Sequence, residues 1–436
     1  MMNRFFSAKN WNRVFLYLLF ICSTFSIAGT DVSIAMLYLI TLIHWFWDRK
    51  LSQLGNPLLW AILFFMATAV ISGLLNAYET EHLMALRSNW RLLLPLLLAV
   101  ILAEVDEDRL LWVFFGFVML IAIYGIIQYF TGVDWLRPDD QSFSTPYLTG
   151  AAGENTVFHG KGNFTHHLTY GGFLLLCFPL LASLVFCKDW NPFTRLITLA
   201  ITILVLLAIG SSLGRSIWLG TVVASAVLLF RLSPKLMLAV TVLVIAGGAY
   251  LFTQFSEPSF EIRTPTNRVE VIQQRFISSF MLKANQDRIL MWETGIAAIK
   301  DHFWLGIGYN NDAEIMPKYR DLIKKRTGHR FNNNAGIGVH NIYLQTWINY
   351  GLLGFLGYLS ILGIFLVQSI RTLFQTTSFS YENSILWGGI AGVSGFMAAG
   401  FFENNFRDGE VQAMLLILMG LSLRQMQKLN ERIFKP

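Results

Sequence analysis

The chain has 436 residues, of which 54% are hydrophobic and 14% charged, with a formal net charge of +6. Ordinary soluble domains are about a quarter charged, so a compact water-soluble enzyme of this size would leave too much apolar surface wet. Disorder needs low hydrophobicity and high charge and is excluded too, which leaves an all-α polytopic membrane protein.

Arg4, Lys9 and Arg13 precede the apolar run from Val14 to Ala28. No small-x-small cleavage site follows and a second run begins at Val32, so the first run reads as a retained span. A helix crossing the bilayer needs about 20 mostly apolar residues. Twelve runs qualify in chain order: 14–29, 32–47, 57–75, 90–104, 109–131, 168–187, 194–212, 215–231, 236–253, 342–369, 384–402 and 411–425. Cys22, Cys177 and Cys187 lie in or beside these runs, which argues against a disulfide framework or a cysteine metal site.

Lysine and arginine set the orientation. With the N-terminus in the cytoplasm, 15 of the 33 fall in inside segments, six in short outside segments and twelve in the loop 254–341. Long loops are exempt from the rule, so the bias places both termini inside and the loop outside, in the periplasm of a bacterial inner membrane. Three regions follow: a membrane bundle of nine spans over 1–253, a helical periplasmic loop over 254–341, and three further spans over 342–436.

Within the loop, Ile289, Trp292, Ile296 and Ile299 share one helical stripe. Asn285 or Asp287 can cap that helix, and Lys300 suits its end. A turn at Gly306-Ile307-Gly308 leads to a second helix from Asp312 to about Lys325. Both are expected to lie over the outer membrane surface. The acidic run Glu104–Asp108 reads as a solvated inner loop. Gly388 and Gly392 form a helix-packing pair.

Four segments carry candidate chemistry. Arg215 lies where two spans nearly touch, and reads either as a snorkelling span end or as a functional cation at the interface. Arg288 at the loop helix start is either a surface residue paired with Asp287 or Glu293, or an anion ligand assisted by a helix N-terminus. His340 begins the tenth span on one face with Tyr343 and Trp347, while Asn341, Gln345 and Asn349 recur on the adjacent face. That ladder serves interhelical hydrogen bonding or a polar cleft in which His340 is a general base. Glu403, Arg407 and Asp408 crowd the connector between the last two spans. Weaker signals are His166-His167, which cannot share a helical face, and Asp139-Asp140, a metal pair lacking a nearby third ligand.

Together, Gly214-Arg215-x-x-Trp218-Leu219-Gly220, Asp287-Arg288-x-x-x-Trp292, and Val339-His340-Asn341-x-Tyr343-Leu344-Gln345 with Tyr350-Gly351-Leu352-Leu353-Gly354 resemble the O-antigen ligase and polymerase superfamily. The resemblance implies a C-type membrane glycosyltransferase that acts on the periplasmic face without a metal or other cofactor and inverts the anomeric carbon. It implies a glycan donor on undecaprenyl pyrophosphate and, in the ligase branch, a lipid A–core sugar hydroxyl as acceptor, giving lipopolysaccharide. Arg215 and Arg288 would clamp the pyrophosphate, and His340 would accept or orient the hydroxyl proton. Asn341, Tyr343, Gln345, Arg407, Asp408 and Glu403 would bind substrate, and an apolar groove would hold the polyprenyl tail. The single large loop before the His-Asn segment favours ligase over polymerase. A twelve-span transporter is the alternative from another class, but it would place functional charges near the midplane and carry inverted repeats.

Overall fold

The computed structural model describes residues 8–48, 55–76, 89–138, 158–255, 268–329, 331, 338–376 and 378–434. Every regular element among them is helical. The α-helices in chain order are α1 (Ala8–Cys22), α2 (Ile27–Asp48), α3 (Pro57–Leu75), α4 (Leu94–Ile101), α5 (Glu107–Thr131), α6 (His167–Leu184), α7 (Pro192–Ser211) and α8 (Arg215–Leu232). They continue as α9 (Pro234–Phe255), α10 (Arg268–Ile277), α11 (Leu282–Asp301), α12 (Asp312–Thr327), α13 (Ile342–Leu373), α14 (Tyr381–Ala399) and α15 (Gly409–Phe434).

Among the described residues, seven helices are long and apolar enough to cross a membrane: α3, α5, α6, α7, α8, α9 and α13. The other expected spans fall short for identifiable reasons. The run 90–104 breaks into the short helix α4 between two 3₁₀ turns. Helices α14 and α15 carry more polar residues, and α14 is buried along most of its length. A helix sheathed by protein on all sides has less need of lipid-compatible side chains. The first boundary also moves, from about residue 30 to Ser23–Ser26. There the Ser23 and Thr24 hydroxyls donate to the Phe20 and Ile21 carbonyls and end α1. Asp31, expected in the break, instead lies within α2 and takes a bidentate pair from Arg91 at 2.6 and 2.8 Å.

Helix starts follow side-chain capping of otherwise unpaired N–H groups. Asn56, Asp106, Asn191 and Asn341 each accept from a backbone N–H in the first turn of α3, α5, α7 and α13. The acidic run at 104–108 is therefore structural rather than a solvated loop. Asp106 caps α5, and buried Glu107 pairs with Lys428 (2.7 Å) and accepts from Gln425 (2.7 Å). Gly388 and Gly392 pack α14 onto Leu180 and Pro179 of α6, as expected for a packing pair.

Among its described residues the 254–341 segment contains the three α-helices α10, α11 and α12, one more than expected. Its small core of Ala298, Ile299, Ile307, Met316 and Tyr319 also takes in Val339 and Ile348 at the start of α13. The buried face of α11 is Leu290, Met291, Thr294, Gly295, Ala298 and Ile299, so Ile299 of the expected stripe is buried. The expected stripe is offset in part: Ile289 and Ile296 are exposed, because Gly295 lets α11 approach Val339 and Ile348 closely on the neighbouring face.

Helix α13 is broken at Gly351, whose φ of 71° lies in the left-handed region. The break frees the Ile348 and Asn349 carbonyls, which accept from the Ile307 (2.7 Å) and Gly308 (3.0 Å) N–H groups. Gly306 and Gly308 also have positive φ, so the expected turn docks directly into this break. The Ser72 hydroxyl lies 2.5 Å from the Leu305 carbonyl and 2.9 Å from that of Asn349, tying α3 to the same point.

Candidate functional site

His340 sits one residue before the cap of α13, at φ 49°, a strained conformation for a non-glycine residue. Its neighbours hold it there. Asn341 Oδ1 accepts from Leu344 N (2.9 Å) and its Nδ2 donates to the Phe401 carbonyl (3.0 Å). Ile342 N donates to the Gly400 carbonyl (2.8 Å). Gln345 reaches back so that its Oε1 accepts from Val339 N (3.0 Å). These bonds fasten the start of α13 to the end of α14, which brings His340 beside Glu403.

The His340 Nδ1 and Glu403 Oε1 atoms are 2.9 Å apart. Arg288 Nη2 lies 3.7 Å from Glu403 Oε2, so a single buried carboxylate stands between the histidine and the arginine. Burial alone would raise the Glu403 carboxyl. The His340 hydrogen bond and the charges of His340 and Arg288 overcome this and hold it below the ordinary range. Burial also lowers the Arg288 guanidinium from its usual value, and the Glu403 charge opposes that shift.

Arg288 does not open its helix. Helix α11 starts at Leu282, because the Asn285 side chain, instead of capping, donates to the Ser278, Ser279 and Met281 carbonyls of the preceding turn. Arg288 is therefore more than a turn inside α11, beyond the unpaired N–H groups, and the helix N-terminus contributes little to any anion it holds.

A second ionic group adjoins the first. Arg407 Nη1 donates to Asp312 Oδ2 (3.1 Å), and Asp312 Oδ1 accepts from Gln345 Nε2 (2.7 Å). Gln345 also donates to Asn349 Oδ1 (2.9 Å), so the amide ladder of α13 is joined internally. Asp408 Oδ2 accepts from the Thr169 hydroxyl of α6 (2.9 Å). Burial pushes the Asp408 carboxyl up to about 7, against the Thr169 bond and with the help of the Glu403 and Glu410 charges.

Arg215 opens α8 after a turn in which Leu213 has a φ of 54°. Its Nη1 donates to the Ser278 carbonyl (2.7 Å), linking the α7–α8 corner to the loop just before α11. Arg215 and Arg288 line the same cavity, of about 670 Å³. Its other walls are mainly apolar: Trp218, Leu219 and Val222 of α8, Leu243 and Leu251 of α9, Phe280, Trp292 and Phe402. None of the α9 residues is buried, so this wall stands at the outer surface of the helix bundle.

The structure thus brings Arg288, His340 and Glu403 into contact and sets Arg215 on the rim of the cavity that Arg288 also lines. Arg407 and Asp408 stand on the same connector as Glu403. Asn341, Tyr343 and Gln345 follow His340 at the start of α13. Their polar groups are used within the protein, including the Tyr343 hydroxyl, which donates to the Met397 carbonyl (2.6 Å). They shape the wall that carries His340. Asp139 and Asp140 lie outside the described residues.

Three features were missed in the sequence. In the sequence Asp312 reads simply as a helix start. Thr169 carried no signal beyond its nearness to His166-His167. The third is a histidine group: the His159 and His167 rings lie 3.9 Å apart, and both donate from Nδ1 to the Ser212 carbonyl at 3.1 and 2.8 Å. Burial lowers His159 to about 4. His166 caps α6 and feels the charges of Glu403 and His340, which puts it on the site side of the pair. Adjacent histidines need not share a helical face when one of them lies before the helix.

Residues 200–359 match the family model described as O-antigen ligase. This stretch includes Arg215, Arg288 and His340. An uncharacterized protein of Haemophilus influenzae is 26% identical over 209 residues, or 45% of this chain. The chain spans about half the length of that curated relative, 50%.

Proposed function

We propose that this chain, whose residues 200–359 match the family model described as O-antigen ligase, is a multi-pass glycosyltransferase that moves a glycan from undecaprenyl pyrophosphate to a sugar hydroxyl of lipid A–core. The observation that carries the reading is Glu403 held between His340 and Arg288, beside an apolar cavity that Arg288 and Arg215 line.

The geometry supports the following chemistry. With Nδ1–H engaged by Glu403, His340 presents its bare Nε2 as the proton acceptor. The acceptor hydroxyl oxygen attacks the anomeric carbon and its proton passes to His340 Nε2. The bond from the anomeric carbon to the pyrophosphate oxygen breaks, and the pyrophosphate leaves with the electron pair. Attack opposite the leaving group inverts the anomeric carbon. The negative charge growing on the pyrophosphate meets the guanidinium groups of Arg288 and Arg215, already fixed in place. Glu403 stabilises the imidazolium that forms and holds the ring in one tautomer. The polyprenyl chain lies in the cavity between α8 and α9.

The lysine and arginine bias supports a periplasmic site in the bacterial inner membrane with both termini in the cytoplasm. The division into 1–253, 254–341 and 342–436 is part of the same proposal, with the middle segment lying over the site. Reconstitution of the purified chain with a lipid-pyrophosphate glycan and two acceptors tests it. Transfer to lipid A–core supports the reading. Growth of the glycan on the lipid carrier alone makes the protein a polymerase, and no transfer to either removes the proposal.

A further inference from the structure

The end of α13 remote from His340, roughly 40 Å away at 1.5 Å per residue, meets α3 and α15 around two adjoining hollows. The first, of about 320 Å³, is walled by Asn56, Gln368, Arg371, Gln375, Gln427 and Asn430. The second, of about 370 Å³, runs along α13 past Pro57, Gly363, Ile364 and Val367. Gln368 and Arg371 belong to both, so a polar hollow opens directly into an apolar one.

The chemistry of the walls selects the occupant. Among the described residues lining the polar hollow there is one cation, Arg371, and no carboxylate. The side chains of Arg371, Gln375, Gln427 and Asn430 make no hydrogen bond or ion pair with any described residue. A guanidinium surrounded by carboxamides fits a phosphate diester. Arg371 supplies the charge, and the amides donate to phosphate oxygens and accept from a neighbouring hydroxyl or ammonium. The apolar hollow lies on the outward surface of α13, where Val367 is 47% exposed. A Cβ added at Gly363 would meet nothing within 4 Å, so the groove has room for a hydrocarbon chain. The lysine and arginine bias assigns this end to the cytoplasmic side, where the leaflet is rich in anionic headgroups and basic pockets between spans bind them.

We propose that these two hollows form a binding site for one anionic glycerophospholipid, with its phosphate on Arg371 and the carboxamides and one acyl chain along Gly363 and Val367. Bound there, the lipid bridges α3, α13 and α15, which Gln368 already links in part through its 3.2 Å bond to Asn56. The site is separate from that of His340, so its failure would leave the glycosyltransferase reading standing.

The test uses the full chain, stripped of lipid in detergent and titrated with phosphatidylglycerol, with retained lipid counted by native mass spectrometry and thermal unfolding followed in parallel. One phosphatidylglycerol per chain is expected, with a rise in unfolding temperature. Arg371→Gln should weaken retention at least tenfold, and Gly363→Leu, which fills the groove, should do the same, while both variants unfold like wild type when stripped. Inorganic phosphate alone, and diacylglycerol with the same chains, should each give no stabilisation. Retention unchanged in both variants would overturn the proposal. So would equal binding of diacylglycerol, or full stabilisation by inorganic phosphate, which would mark a site for a soluble phosphate compound.

Discussion

Glu403 touches both His340 and Arg288: its carboxylate lies 2.9 Å from the His340 Nδ1 and 3.7 Å from the Arg288 guanidinium. The group that would take the proton and a group that would hold the leaving pyrophosphate are thus fixed by one buried anion. Moving either one disturbs the other.

Glu403→Gln should therefore impair the chemical step. The amide keeps the size but cannot stabilise the imidazolium, and it leaves Arg288 without its counter-charge. A loss of about 10²-fold or more in transfer rate is expected, the scale of a positioned acid–base group. Glu403→Asp, which keeps the charge but shortens the reach, should be intermediate. Single-turnover transfer on reconstituted protein measures both, and a wild-type rate for Glu403→Gln would remove the carboxylate from the account.

Arg288→Ala should lower transfer by about 10²–10³-fold, as losing one preorganised charge donor does elsewhere. Arg288→Lys should not restore it, because an ammonium lacks the planar fork needed to face Glu403 and a phosphate oxygen together. Arg215→Ala should show a similar loss, along with weaker docking of the loop through Ser278. Parallel rates for the three variants check this; full activity in either alanine variant would count against the clamp.

Asp408 gives a pH signature. Its carboxyl is raised to about 7 in the folded chain, from an ordinary value of 3.8. The native state then binds more protons than the unfolded state between those values, so this residue makes stability fall as pH rises from about 4 to 7. Asp408→Asn should flatten the unfolding temperature over that window and raise it near pH 7. Thermal scans in detergent from pH 4 to 8 would show it. An unchanged slope would mean that Asp408 is ionised throughout.

Gly351→Ala should destabilise the protein by about 1–3 kcal/mol, the cost of forcing an L-residue into a disfavoured backbone region. Its φ is 71°, and an added Cβ would run into the Trp304 carbonyl. Ala at Gly363 of the same helix, where the space is open, serves as the control. Unfolding temperatures of the two variants should differ clearly; equal values would mean that the α13 break tolerates a side chain.

Much of the helical architecture was legible because apolar runs of bilayer length announce themselves, as at 57–75, whose bounds coincide with α3. Its ends were less so where hydroxyls decide them, as at Ser23 and Thr24, which terminate α1 inside an apolar run. At the site, Arg215, Arg288 and His340 stood out as ionisable residues at one membrane surface. That Arg288 and His340 share Glu403 could not be read, because Glu403 is far from Arg288 in sequence and is brought to it through the Ile342–Gly400 and Asn341–Phe401 bonds. The amide ladder reads in the sequence either as interhelical hydrogen bonding or as the wall of a polar cleft, and nothing local to Gln345 foretells its bond to Asp312.

The most direct test of the central claim separates binding from chemistry in His340→Ala. Donor affinity is measured with a lipid-pyrophosphate glycan, and the single-turnover rate with lipid A–core. The account predicts donor affinity within about threefold of wild type and a transfer rate lower by about 10²-fold or more. Equal loss of affinity and rate, or a wild-type rate, would contradict it.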